Sequence, residues 1–258
     1  MRTISTIIIA ALALVALAGC GGNEPVAPTG FAPGQTAEAY AYVHGGYVGQ
    51  AVVTTDDEGS IDVTLDEAFL PHTLAAVDME SDDWNEENTV FYIQRDNEVR
   101  VAKWISYNDT NYTGVTVGTA LAYVESDENG NPTGNTILEK SILRNEDTMK
   151  TWWESIAEGE FMVYREFGGS GSAVTTTRYN GLYKRGSDYW PERGLGWQGN
   201  MDAIVEAAET MGVGFTLDEM VRGDDGWELA DAGTGATASD FKDYFSLVQL
   251  AVSRLEME

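Results

Sequence analysis

The sequence predicts an α+β fold: a largely antiparallel sheet with helices packed on it and a C-terminal amphipathic helix after a Gly-Ala-Thr loop. Three observations carry this expectation. Runs of strand formers crowd the first half of the chain. Helical periodicity is concentrated in the second half. The regular strand-helix alternation of a parallel sheet is missing.

The elements follow in order. Ala39 to Val53 carries Tyr42, Tyr47, Val48, Val52 and Val53. Asp56-Asp57-Glu58-Gly59 is a turn signal, and Ile61, Val63 and Leu65 then alternate with polar neighbours. Together these read as a β-hairpin with one solvated face. Val90 to Gln94 and Val99 to Tyr107 flank Asp96-Asn97 as a second hairpin. Val115 to Val124 reads as a further strand, and Ser126 to Gly134 as a loop. Met149, Trp152, Trp153 and Ile156 fall at helical spacing behind Asp147, which predicts a helix over 148–158 with Asp147 as N-cap. Phe161 to Arg165 and Ala173 to Tyr179 read as strands joined by a Gly-rich loop. Asn200 is placed to cap a helix over 201–210, ended by Gly212. From Ser239 to Leu255, Phe241, Phe245, Val248, Val252 and Leu255 form one apolar stripe.

Composition narrows the function. The 258 residues carry 15 Lys plus Arg against 42 Asp plus Glu, a formal charge of -27. That balance argues against an electrostatic nucleic-acid binder, because phosphate binding needs a basic face. One cysteine and two histidines exclude a disulfide scaffold and a Cys/His zinc site. Hydrophobic residues at 43% supply a packed core. The acidity fits either a solubilising surface or adaptation to high salt, with only five lysines present.

The N-terminus reads as an address. Arg2 precedes an apolar run from Ile7 to Leu17, too short to span a bilayer and suited to a signal-peptide core. It ends in Leu17-Ala18-Gly19-Cys20, which resembles the lipobox of bacterial lipoproteins. That resemblance implies cleavage after residue 19 and acylation of Cys20, with each buried CH2 worth about 0.8 kcal/mol of anchoring. The alternatives are an ordinary secretory signal with a coincidental cysteine, or an uncleaved anchor helix. Gly21 to Gln35 is rich in Gly, Pro and Ala and reads as a flexible tether. The expected organisation is a signal peptide over 1–19, a tether over 20–37 and one α+β domain over 38–258. The protein is then expected at the cell membrane, lipid-anchored and facing outside the cytoplasm.

Common catalytic motifs are missing: no G-x-S-x-G elbow, no phosphate-binding P-loop, no H-E-x-x-H. A Ser-His-Asp triad could draw only on His44 or His72, and each reads more simply as a surface or core histidine. Trp152-Trp153 reads more simply as a core-facing Trp beside a rim Trp than as a stacking platform. Asp56-Asp57-Glu58 and Asp82-Asp83 lack the ligand spacing of a calcium loop and read as acidic turns.

One segment stands out, Asp231-Ala232-Gly233-Thr234-Gly235-Ala236-Thr237. It is a small-residue turn leading into the last helix. Gly233 and Gly235 permit positive φ and close backbone approach. A helix start with unpaired N–H groups suits a phosphate on or near the Thr237 hydroxyl. On its physics alone, a plain loop with Thr237 or Ser239 as N-cap is the simpler reading.

The same stretch resembles the flavinylation motif of the FMN-binding domain family, with Asp231, Thr234, Gly235, Ala236 and Thr237 at the matching positions. Gly46-Tyr47-Val48-Gly49-Gln50-Ala51 is similar to that family's opening hairpin. Tyr189-Trp190-Pro191 through Gly194-Leu195-Gly196-Trp197 is similar to its Gly-Leu-Gly loop near the flavin. Gly226-Trp227 and Asp240-Phe241-Lys242-Asp243-Tyr244 are similar to its lipoprotein branch, which includes precursors of peptide pheromones. The resemblance spans roughly residues 40 to 255. One departure is Glu192-Arg193, which replaces the usual glutamate-threonine-proline and is one residue shorter.

The resemblance implies FMN held covalently as a phosphoester on Thr237, placed there from FAD by a separate flavin transferase. It implies that Asp231 belongs to the sequence the transferase reads, and from that role follows an expectation that Asp231 orients or deprotonates the hydroxyl, since a free threonine is a poor nucleophile. Gly194 and Gly196 would lie near the flavin, with Trp190 and Trp197 as candidates for packing on its ring. Redox partner proteins and the membrane, through the lipid anchor, complete the expected partners. The acidic surface is expected to disfavour an anionic reduced flavin. The leading reading is a membrane-anchored electron carrier. The alternatives are a non-redox ligand- or partner-binding lipoprotein and a flavin-dependent reductase of a small molecule. A signal peptide released from the Ile7 to Gly19 region is a further implication of the family branch.

Overall fold

The computed structural model describes residues 30–174, 178–190 and 194–257. The leader, Cys20 and the tether up to residue 29 lie outside the described residues, as do Pro191-Glu192-Arg193.

The architecture is α+β, with antiparallel strand pairing throughout and five helices among the described residues. The first sheet contains β1 (Thr36–Val43), β2 (Tyr47–Thr55) and β3 (Ile61–Ala68), in that order. The expected hairpin is therefore a three-stranded meander, because His44-Gly45-Gly46 turns the chain inside what reads as one strand-forming run. The alternation holds: Ile61, Val63 and Leu65 are buried, while Asp62 and Thr64 are exposed. A short helix, α1 (Pro71–Leu74), follows.

β4 (Thr89–Gln94) and β5 (Asn97–Ala102) form the second hairpin, turned at Arg95-Asp96. β6 (Trp104–Tyr107) leaves that hairpin and joins another sheet with β7 (Thr110–Val117), β8 (Ala120–Ser126) and β9 (Pro132–Ile137). The strand expected over 115–124 is thus two strands, broken at Gly118-Thr119. α2 (Leu138–Ile142) and α3 (Glu146–Glu158) come next. Asn145, not Asp147, caps α3: its side chain accepts from the Thr148 N–H, and the Thr148 hydroxyl accepts from the Asn145 N–H. Trp152 is fully buried and donates to the Phe69 carbonyl (3.1 Å), while Trp153 lies half-buried beside it. β10 (Phe161–Tyr164) and β11 (Ser172–Ala173) complete the larger sheet; of the strand expected over 173–179, Ala173 is in β11, Val174, Arg178 and Tyr179 are outside strands, and 175–177 lie outside the described residues.

α4 (Gly196–Met211) begins four residues before Asn200, so Asn200 lies inside the helix instead of capping it. A small sheet follows, with β12 (Met220–Arg222), β13 (Trp227–Leu229) and β14 (Ala232–Gly233). α5 (Phe241–Val252) closes the fold, with Phe241, Phe245, Val248 and Val252 buried as the stripe predicts. Burying each such side chain contributes about 1.5–3 kcal/mol. α5 lies against β1 and β2, and α4 lies against β3. Gly49 makes the close approach of α5 possible: a Cβ there would sit 2.8 Å from Val43 Cγ2 and 3.0 Å from Leu247 Cδ2.

The two ends of the described chain clasp each other. Ala32 N–H donates to the Glu256 carbonyl (2.9 Å), and the Gln35 side chain bonds both the N–H and the carbonyl of Glu256. Among the described residues no helix is long and apolar enough to cross a membrane.

Candidate functional site

A cleft of about 960 Å³ opens where His72, Arg178, Tyr179, Tyr189 and Trp190 meet four other pieces of chain. Those four are the β1–β2 turn, the β4–β5 turn, the start of α4 and the segment Ala238-Ser239-Asp240 before α5. Its size is at the upper end of small-molecule pockets. Aromatic rings line it in sequence. Tyr179 packs on Tyr189 (5.2 Å between centroids), Tyr189 on Tyr47 (5.6 Å), and Tyr47 stacks with His44 (5.8 Å). Trp190, Trp197 and Tyr244 add further ring surface.

A buried ion pair stands behind these rings. Residues 182–184 run beside the end of β3, where Phe69 N–H donates to the Leu182 carbonyl and Lys184 N–H to the Glu67 carbonyl. That pairing brings the Lys184 ammonium onto the Glu67 carboxylate, with both side chains fully buried. The ammonium also faces the rings of Tyr47 (3.4 Å), Tyr189 (4.0 Å) and Trp197 (5.7 Å). Tyr244 donates to the other Glu67 oxygen (2.6 Å). Burial lowers the Lys184 pKa to about 8, although Glu67 opposes the change. Burial likewise raises the phenols of Tyr47 and Tyr244 far above their ordinary range, so both remain neutral donors.

The Gly-Ala-Thr loop borders one end of the cleft. Thr237 is exposed, and the next residue, Ala238, belongs to the cleft wall. Asn200, fully buried on α4, holds this segment. Its Oδ1 accepts from Thr237 N (2.6 Å), Ala238 N (2.7 Å) and Thr237 Oγ1 (3.2 Å), and its Nδ2 donates to the Gly196 carbonyl (2.6 Å). Trp227 Nε1 donates to the Ala238 carbonyl (2.6 Å), and Arg222 donates to the Thr237 carbonyl (2.9 Å). The guanidinium of Arg222 and the ammonium of Lys242 both lie over the Trp227 ring, which puts two cations around the loop.

The other expected site residues fall as follows. Thr234 is buried and its hydroxyl bonds within the loop, donating to the Trp227 carbonyl and accepting from Ala236 N–H. Ala236 is fully buried. Gly235 has φ +76°, as the small-residue turn anticipates, whereas Gly233 pairs with Glu228 in β14. Asp231 sits exposed at a left-handed turn after Ala230 and makes no hydrogen bond or ion pair to another described residue. The structure therefore brings Asn200, not Asp231, to the Thr237 hydroxyl. Thr237 stands four residues before α5.

Trp190 and Trp197 both line the cleft, and Trp197 N–H donates to the Trp190 carbonyl (3.1 Å). Gly194 (φ +63°) and Gly196 (φ +64°) shape the turn between these tryptophans without lining it. Trp190 itself has φ +49°, a costly conformation for a bulky residue and one that clusters at functional sites.

Both histidines line the cleft, which periodicity did not anticipate. His44 Nδ1 pairs with Asp240. Burial raises the Asp240 pKa, but the hydrogen bonds from Ser239 and His44 outweigh it and leave the carboxyl below its ordinary value. Burial and the nearby Arg178 charge lower His72 to about 4, so it is neutral at pH 7. Lys184, Glu67, Arg95 and Arg178 were not singled out by sequence. Only Glu67 carried a signal, since the period-2 pattern of β3 puts it on the buried face with Leu65.

Comparison with protein-family models, with curated proteins and with solved structures finds no match for this chain. The residues present fit an FMN phosphoester on three counts. Thr237 is an exposed residue, Arg222 and Lys242 supply nearby positive charge, and the adjoining cleft offers ring surface for a planar group.

Proposed function

We propose that this chain is a membrane-anchored, extracytoplasmic flavoprotein that carries electrons through FMN esterified to Thr237. The observation that supports it most is the position of Thr237: an exposed threonine on a loop fixed by buried Asn200, one residue from an aromatic cleft. The motif resemblance around Asp231 to Thr237 and the lipobox ending at Cys20 point the same way.

In attachment, the Thr237 oxygen forms a bond to the flavin-side phosphorus of FAD. The pyrophosphate P–O bond breaks, AMP leaves, and the hydroxyl proton passes to a base. The Asn200 amide oxygen is too weak a base for that step, so the flavin transferase supplies one. Arg222, which donates to the Thr237 carbonyl, and Lys242 would hold the phosphate, and Trp190, Trp197, Tyr189 and Tyr47 would offer packing surface for the ring. The bound FMN supplies electron transfer in one- or two-electron steps. Lys184 holds a positive charge behind the rings, opposed by Glu67, while the acidic surface works against negative charge in the cleft.

The test is an intact-mass and visible-absorbance comparison of the chain produced with a flavin transferase. Wild type should gain the mass of FMN less water and absorb as a flavin, and Thr237→Val should do neither. A colourless wild type in the presence of an active transferase would overturn the carrier reading and leave the cleft as the site of a non-redox binding lipoprotein.

A further inference from the structure

The end of the cleft away from Ala238-Ser239-Asp240 is basic, against the character of the whole chain. Arg95 projects from the β4–β5 turn and Arg178 from the segment before Tyr179, and both line the cleft. Like Arg144 and Arg222, neither has a carboxylate partner among the described residues, but only Arg95 and Arg178 line the cleft. Arg100, Arg165, Arg185 and Arg254 are each paired with a carboxylate. Arg95 makes no ion pair with a described residue. Arg178 is held by neutral groups only: it donates to Gln94 Oε1 (2.5 Å) and to the Tyr179 hydroxyl, and lies over the Tyr179 ring (4.6 Å).

Both carboxylates in the cleft wall are already engaged. Glu98 accepts from Arg100 (2.6 Å), and Asp240 pairs with His44 and Ser239. In a chain of charge -27, two guanidinium groups without acidic partners, facing one concave surface, form a local positive field. The planar fork of arginine suits carboxylate and sulfonate oxygens. The surface leading away from them is aromatic, through Tyr179, Tyr189 and Tyr47.

We propose that Arg95 and Arg178 form an anion subsite in the cleft that takes a planar aromatic carboxylate or sulfonate, its ring against the aromatic wall of the cleft and its charged group on the two guanidinium groups. The β4–β5 hairpin is the specificity element, because it supplies both Arg95 and the Gln94 that orients Arg178. The subsite is separate from Thr237 and stands whether or not Thr237 carries flavin.

The experiment titrates the full chain with 2-naphthoate by calorimetry and by quenching of tryptophan fluorescence, at low and high ionic strength. Wild type should bind saturably, more weakly as salt rises. Arg95→Gln and Arg178→Gln should each weaken binding about tenfold or more, in line with a charged hydrogen bond. Arg95→Lys should restore part of the loss, and Arg144→Gln, outside the cleft, should bind as wild type. Melting curves for each variant confirm that it folds. Both flavin-loaded wild type and Thr237→Val are titrated. Binding to both supports the subsite, even where mass analysis finds no flavin on wild type. Binding to Thr237→Val alone would show that the arginines serve the flavin itself and would overturn a separate subsite. Non-saturable binding, or binding that both arginine variants retain, would also overturn it.

Discussion

Asn200→Ala is the substitution whose cost the structure defines most closely. The side chain is fully buried and makes four hydrogen bonds, two of them from the backbone N–H groups of Thr237 and Ala238. Thr237 is exposed, so water can replace the lost acceptor there. Ala238 is buried, and its N–H would be left unpaired, which costs about 1–3 kcal/mol. With the weaker bonds and the small void added, the loss comes to about 2–4 kcal/mol. For a chain of this size that lowers Tm by roughly 4–15 °C. Scanning calorimetry measures the shift, and amide exchange locates it. Protection of Ala238 should disappear while the β1–β3 amides keep theirs. A Tm change under about 2 °C, or an Ala238 amide still protected, would refute the assignment of Asn200 as the loop's anchor.

Further outcomes follow from the same contacts. Thr237→Val removes one long, exposed hydrogen bond and should change unfolding free energy by less than about 0.5 kcal/mol, so loss of flavin in that variant cannot be misread as loss of fold. Lys184→Met leaves Glu67 buried without its counter-charge and should cost about 3–5 kcal/mol in urea unfolding. Lys184→Met with Glu67→Gln should recover most of that, because the amide still accepts from Tyr244. Burial raises the Glu139 pKa from 4.5 to about 7. The folded state then holds a proton that the unfolded state releases, so this group's contribution to stability falls as pH rises from about 4.5 to about 7. Glu139→Gln should flatten that slope in denaturation at about pH 5 and about pH 8, and an unchanged slope would refute it. Gly196→Ala forces a side chain into φ +64° and should cost about 1–3 kcal/mol by thermal melting.

Periodicity in the sequence was enough for the α+β class, the alternation of β3 and the stripe of α5. Strand breaks were harder to read. Ala39 to Val53 reads as one run because its strand formers continue on both sides of His44-Gly45-Gly46, and only the pairing of β1 with β2 reveals the turn. Asn200 looked like a cap because asparagine before an apolar run commonly is one. It caps a loop, but one that lies 37 residues later in the chain. The cleft was legible only in part. Trp190, Trp197 and Thr237 could be found only through the motif resemblance. Lys184, Arg95 and Arg178 could not: Lys184 comes in through the pairing of residues 182–184 with the end of β3, and Arg178 meets the β4–β5 turn from 84 residues away.

The clasp between residues 32–35 and Glu256 sets a geometry for anything that holds the chain from its N-terminal side. The clasp lies just past the last turn of α5, and Asp240, in the cleft wall, lies just before its first. Twelve residues at 1.5 Å each make that helix a strut of about 18 Å between moorings and mouth. A pull from that side would be borne at the clasp, where strand β1 begins, and not at the rim around Thr237. The aperture would keep its shape under tension, with a helix length of clearance for a docking molecule.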